Sequence, residues 1–373
     1  MIIELSPNFA AFGAAEWVNY HQAIENLITA HGQGWHLLSP ARDVAASIRL
    51  GCTLSATQEQ VFRHYISAKI SELSGQARSS DMTILANVDG EDRRTIRANQ
   101  IGVPLRLFSD LASCAPSRLI TENAATDGKA LELLARLMAK ELGYGGRIQL
   151  ELVHGGGGTT AACYHAACQS GRPTLCVLDS DKKYDSAPLG ETARQVQMLA
   201  GTEVHPTVAQ RVLPVRELEN ALPLSALLDV YANNPEVRRR VASLIEYAQR
   251  RVVEGIPDEA NVLSYLDMKL GLRRKDIAKL PALVRPPHVR FAQVVSTSHR
   301  TRTEYDDLTD GVMIHSGVAE ALLQQFVAFL EGPLHLRRNL DRKIIRSPAW
   351  SWLRDLLALV LAYGTAGQRL PVR

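Results

Sequence analysis

Apolar positions recur along the chain with two different periods, and the alternation between them predicts most of its elements. Met1–Leu5 is a short apolar run suited to a strand. Ala14–Ala30 and Ser55–Leu73 carry apolar residues at helical spacing, with Ser55 as an N-cap. Met82–Val88 and Val103–Phe108 read as strands. The pattern changes after Pro116, and a regular repetition begins. Arg118–Thr121 is a predicted strand, and Asp127–Leu142 a helix with Leu131, Leu134, Leu137 and Met138 on one stripe. Arg147–Val153 is a strand ending in the turn Gly155–Gly158, and Thr159–Ser170 a helix of small residues. Thr174–Leu178 is a continuous apolar strand of the kind buried on both faces. Gly190–Ala200 and Arg211–Val215 complete the repetition as helix and strand. Strands alternating with helices imply a parallel sheet with right-handed crossovers, in which ligands bind at the carboxyl ends of the strands.

From residue 223 on the spacing is helical. Ser225–Ala232, Pro235–Val253, Asp258–Leu270, Val318–Phe329 and Ala349–Tyr363 are predicted helices, interrupted by the basic, proline-rich stretch Lys279–Arg290 and the polar stretch Ser296–Asp310. The expected fold class is therefore α/β in three parts. A mixed α/β domain of unassigned role covers residues 1–115, a parallel-sheet domain 116–224, and a mostly helical domain 225–373.

Three acidic clusters fall where predicted strands give way to loops. Glu122 directly follows the first strand of the middle domain, with Asp127 five residues on. Asp179 and Asp181 follow the third strand, and Glu217 and Glu219 follow the fourth. In a parallel sheet these ends share one edge, so the carboxylates should converge. Residues two apart on a strand face the same way, so Asp179 and Asp181 pair if strand geometry continues that far. Gathered carboxylates raise one another's pKa, and a hard divalent cation with oxygen preference relieves the repulsion. Mg²⁺ or Mn²⁺ in such a place can activate water for phosphodiester cleavage. Each cluster taken singly also has an ordinary reading, as a helix cap or a solvated, salt-bridged charge.

The order LITEN, a glycine-rich turn, VLDSD and RELENALP resembles a Toprim domain, closest to that of nucleases of the overcoming-lysogenization-defect type and related phage-defence proteins. The resemblance covers about residues 117–222. It implies a Mg²⁺-dependent nuclease acting on DNA or RNA, with Glu122, Asp179 and Asp181 catalytic and Glu122, Asp127, Asp179, Asp181 and Glu217 or Glu219 as metal ligands. The chain departs from the family where Asn123 replaces the usual glycine and where Asp127 lies one residue further on. These departures motivate a second expectation, a catalytically degenerate Toprim-like scaffold or binding subunit of a defence or toxin–antitoxin complex.

Around the acids, Gly156 and Gly157 are candidates to hold a phosphate at a helix start, and Lys182 and Lys183 to neutralise one. No G-x-x-x-x-G-K-[ST] accompanies them, so an ATPase would be a separate partner. A third reading places a PIN-like ribonuclease in the N-terminal part, from Glu4, Glu25, Asp43, Asp81, Asp89, Glu91 and Asp92, which form no motif.

Composition narrows little further. The 373 residues are 46% hydrophobic and 22% charged, the balance of a globular protein, with a formal charge of +3. A nucleic-acid partner therefore requires locally concentrated cations, for which Arg238–Arg240, Arg250–Arg251, Arg273–Lys275, His299–Arg302 and Arg337–Lys343 are the candidates. The five cysteines show no zinc-ligand spacing and read as reduced thiols. Without a signal-peptide pattern, and with Trp352–Tyr363 too short and too charged to span a bilayer, the expectation is a cytoplasmic protein that makes no membrane contact and forms a homo-oligomer or joins a defence complex.

Overall fold

The structure is a computed structural model and describes residues 1–79, 82–88, 100–144, 147–203, 205–253, 262–298, 312–333, 341–347, 350–367 and 369–370. It is α/β with parallel sheets. The chain packs as two compact units, both discontinuous in sequence. The first comprises residues 1–177, 195–211 and 354–373, and the second residues 178–194 and 212–353. These breaks differ from the boundaries expected at 116 and 224.

In the first unit, β1 (Ile2–Leu5), β2 (Leu37–Ser39), β3 (Thr83–Asn87) and β4 (Gln100–Pro104) form a sheet in the order β2-β1-β3-β4, all pairs parallel. Helices Ala14–Trp17 and His21–Gly32 replace the single helix expected over Ala14–Ala30. Tyr20 (φ −121°) breaks it, and Trp17 and Tyr20 pack with Phe9 at ring separations of 5.4 and 5.6 Å. Ser55 caps the next helix as expected, in a reciprocal box with Gln58. That helix runs as Ala56–Val61, widens to a π turn over Phe62–Ile66, and resumes at Ile70–Ser79.

The second sheet has the order β7-β5-β8-β9, from β5 (Arg118–Thr121), β7 (Glu151–His154), β8 (Thr174–Leu178) and β9 (Val208–Val212). β5 pairs in parallel with both β7 and β8, and every residue of β8 is buried. The strand expected over Arg147–Val153 divides, because β6 (Arg147–Ile148) pairs antiparallel with Thr365–Ala366 while β7 turns away to β5. β9 lies three residues earlier than expected. The carbonyls of Val215 and Arg216 are taken by Ser180 and Asp181 and leave the ladder.

The second unit is largely helical. Pro235–Val253 packs on Arg285–Ser298, with Tyr247 and Phe291 edge to face at 4.9 Å. The latter helix begins inside the proline-rich stretch, where Pro286 and Pro287 occupy a first turn that needs no N–H partner. Strands β10 (Leu272–Arg273) and β11 (Met313–His315) pair antiparallel.

The helix expected over Asp258–Leu270 is absent from its described part. Only Val262–Ser264 forms a 3₁₀ turn. Asp267 accepts the N–H groups of Lys269 and Leu270, and Asn220 donates to the carbonyls of Leu263 and Leu266, so side chains take the backbone groups that a helix would use. Residues 258–261 and most of Ser296–Asp310 lie outside the described residues, as do His299–Arg302, residues 337–340, Asp81, Asp89, Glu91 and Asp92. No helix of the described residues is long and apolar enough to cross a membrane.

Candidate functional site

In the second unit, two segments are laced together by main-chain hydrogen bonds. Leu213 N–H donates to the Leu178 carbonyl (2.9 Å), and the N–H groups of Ser180 and Asp181 both donate to the Arg216 carbonyl at 3.0 Å. Buried Ser180 adds an Oγ donation to Val215 O (2.6 Å). This lacing sets Asp179 against the turn Leu218–Ala221, where its Oδ1 accepts Leu218 N–H at 3.2 Å.

Asp181 has φ +53°, the one left-handed non-glycine among the described residues. Strand geometry has already ended at Leu178, so Asp179 and Asp181 do not alternate as strand residues would. The Asp181 carboxylate instead packs on Gly190, where an added Cβ would lie 2.3 Å from Oδ2. A sparsely populated backbone state beside candidate catalytic carboxylates is where such strain tends to be found.

Glu217 and Glu219 are both buried, and a single ammonium holds them. Lys269 Nζ lies 3.3 Å from Glu217 Oε2 and 2.9 Å from Glu219 Oε1. Arg216 extends the array, with Nε 3.5 Å from Glu217 Oε1 and Nη2 2.8 Å from Asp267 Oδ2. The charges alternate as Asp267, Arg216, Glu217, Lys269, Glu219, three acids to two bases. Burial, and then Glu219, push the Glu217 carboxyl above its usual range, against Lys269 and Arg216. Burial disfavours the Lys269 ammonium, but Glu219 and then Glu217 outweigh it and hold the lysine charged. Asn220 ties the turn down, accepting Glu217 N–H at 3.0 Å.

The sequence reading missed Arg216, Asn220, Asp267 and Lys269. Arg216 and Asn220 flank the acids in RELEN and were legible there. Asp267 and Lys269 lie in a segment read as helix, and nothing local marks them.

In the first unit, Glu122 leaves the end of β5, and its Oε2 lies 4.0 Å from where a Cβ on Gly157 would be. Gly156 and Gly157 have φ +72° and +60°, a conformation that favours glycine. The phosphate role expected of Gly156 needs correction: its N–H donates to the Glu122 carbonyl at 3.0 Å and is committed to the turn. Asp127 Oδ2 accepts Asn123 N–H at 3.0 Å, closing its own loop. Lys182 Nζ donates to the Asp185 carbonyl at 2.7 Å, whereas Lys183 is exposed.

Of the N-terminal acids, Glu4 accepts from Thr83 and Gln100, and Asp43 from Val44 N–H. Among the basic stretches, Arg240 pairs with Glu236, Arg250 with Glu246 and Lys343 with Asp229. These cations are already partly neutralised.

The all-oxygen donor chemistry suits Mg²⁺, but the geometry offers it little. Among the described residues, no group of three or more His, Cys, Asp or Glu side chains could hold a metal ion. Lys269 stands where a cation would bridge Glu217 and Glu219, so this pair does not fit a metal as it stands. No protein-family model matches the chain, and no curated protein or solved structure matches it either.

Proposed function

We propose that this protein is a Toprim-like, Mg²⁺-dependent phosphodiester hydrolase of nucleic acid, with Glu122, Asp179 and Asp181 as its candidate acidic residues. One observation carries the reading. The sheet order β7-β5-β8-β9 reverses direction between β5 and β8, the topological position at which open α/β sheets bind ligands. Glu122 is the residue after β5, and Asp179 the residue after β8.

Mg²⁺ commonly takes only one or two protein carboxylates and completes its shell with water and substrate phosphate oxygens, so a three-carboxylate cage is not required. When bound, the ion supplies an activated water and neutralises phosphate charge. The chain's own part is positional. Leu218 N–H orients Asp179, the Gly190 contact fixes Asp181, and exposed Lys183 attracts a phosphate. The test is divalent-dependent cleavage of single- and double-stranded DNA and RNA by wild type, Glu122→Ala and Asp179→Ala. Equal activity in all three would sink the reading.

One observation favours the second reading, a catalytically degenerate Toprim-like binding or scaffold subunit of a defence or toxin–antitoxin complex. Lys269 supplies the positive charge that Glu217 and Glu219 would otherwise take from a metal. Thermal unfolding with and without Mn²⁺ separates the two. An unchanged midpoint together with no cleavage supports the scaffold, and a raised midpoint lost in Asp179→Ala supports the enzyme.

A further inference from the structure

A cavity of about 990 Å³ opens in the second unit, the size of a pocket for a small organic ligand. Its walls are apolar: Leu222, Ile245, Val252, Leu263, Met268 and Trp352 all line it. Its charged lining has one sign. Arg251, Arg342, Lys343 and Arg346 contribute, and no carboxylate is among the described lining residues.

Three of these cations fall within five consecutive positions. Arg342 and Arg346 are both exposed and are four residues apart on one turn, where like charges repel. Lys343 has an acidic partner in Asp229, at 2.6 Å. The concentrated charge beside a water-exposed apolar wall is the arrangement that an anion with an apolar body would relieve on both counts.

We infer that this cavity binds a small organic phosphate, its apolar body against Leu222, Ile245 and Trp352 and its phosphate at Arg342 and Arg346. The site is separate from the candidate carboxylates and does not rest on the hydrolase reading. It shares a wall with them, however. Val215 and Asn220 bracket the segment holding Glu217 and Glu219, and Met268 precedes Lys269. Occupancy therefore bears on the loops that hold the ion array, which gives the ligand a regulatory position.

The same chemistry is offered by an alkyl phosphate and by a nucleotide, so both serve as probes. Decyl phosphate (below its micelle concentration) and adenosine monophosphate are titrated into the full chain by calorimetry, with tryptophan emission followed in parallel. We expect saturable one-to-one binding of at least one of them. Arg342→Glu/Arg346→Glu should weaken it at least tenfold, as should Ile245→Trp, which fills the cavity from its apolar wall. Arg250→Glu, a charge reversal on the same helix but outside the lining, should bind as wild type does.

Binding of decyl phosphate alone identifies a lipid-like source, and of the nucleotide alone a nucleotide source. Because Arg342 and Arg346 are exposed, the charge variant tests the site even if Ile245→Trp fails to fold. The inference is overturned if neither probe binds, if inorganic phosphate binds as tightly as both, or if the charge variant binds both probes as tightly as wild type.

Discussion

The two four-stranded sheets are wound in the same order, with the second strand at one edge, then the first, third and fourth. They differ in the residues just beyond their central strands. β1 gives way to Ser6, which donates its N–H to Ala86 O and accepts Asn8 N–H at its Oγ. β3 gives way to Val88. β5 and β8 give way to Glu122 and Asp179. The first sheet keeps its one strand carboxylate, Glu4, inside the layer, bonded to Thr83 and Gln100. Winding alone therefore says where a ligand can sit, and the residue after each strand says whether chemistry is supplied there.

The most severe test of that contrast is enzymatic. Asp179→Ala should reduce divalent-dependent cleavage by at least about 100-fold, the upper range for loss even of groups that only support a metal's ligands. Val88→Ala, at the corresponding position after β3 in the first sheet, should leave the rate unchanged. Loss of activity in both would mean that the two sheets are not functionally distinct.

The next effect is on acid stability, and it belongs to the first sheet. His31 and His36 are buried against β2. Burial, helped by Lys69, lowers His31 to about 4, and burial, helped by the N-terminal ammonium, takes His36 well down. Below pH 6.5 the unfolded chain binds protons that the folded chain refuses, so stability is present above that pH and falls as pH is lowered toward 4. The His31 contribution is about 3 kcal/mol, from roughly 1.4 kcal/mol per pH unit. Urea unfolding at pH 7 and pH 4.5, with amide exchange, should show β1 and β2 losing protection before β5 and β8. The reverse order would contradict the assignment.

Smaller effects probe the ion array. Lys269→Met leaves buried Glu219 without its cation and should cost about 2 kcal/mol, the value for a broken buried pair reduced for the partial exposure of the lysine. Adding Glu219→Gln should recover most of it in a double-mutant cycle, and strictly additive losses would show that the two do not interact. The smallest change expected is Gly190→Ala, about 1–2 kcal/mol, because its methyl must displace the Asp181 carboxylate. Asp181→Gly should relieve that clash in the double variant.

Local pattern carried much of this architecture. β1, β5, β8 and Pro235–Val253 were readable because each is a compact apolar run or a long amphipathic repeat, and Ser55 because a cap is a local signal. What escaped depends on partners distant in sequence. Arg147–Val153 divides only because Thr365–Ala366 captures its first half. Residues 262–270 are not α-helical because Asn220 and Asp267 take their main-chain groups. The acids at the strand ends were legible for the same reason as the strands. Lys269, the cation that pairs with Glu217 and Glu219, was not, since an ion pair between separate loops leaves no periodicity to read.

The antiparallel pairing of β6 with Thr365–Ala366 has a consequence for synthesis. The first sheet is complete once Pro104 has left the ribosome, but β6 must wait with an open edge while the 212–353 segment is made. During that interval Ile148 and its neighbours offer unpaired amide and carbonyl groups to any passing strand. Expression at lower temperature, or with a holding chaperone, should therefore raise the soluble yield more than it would for a chain whose units close in order.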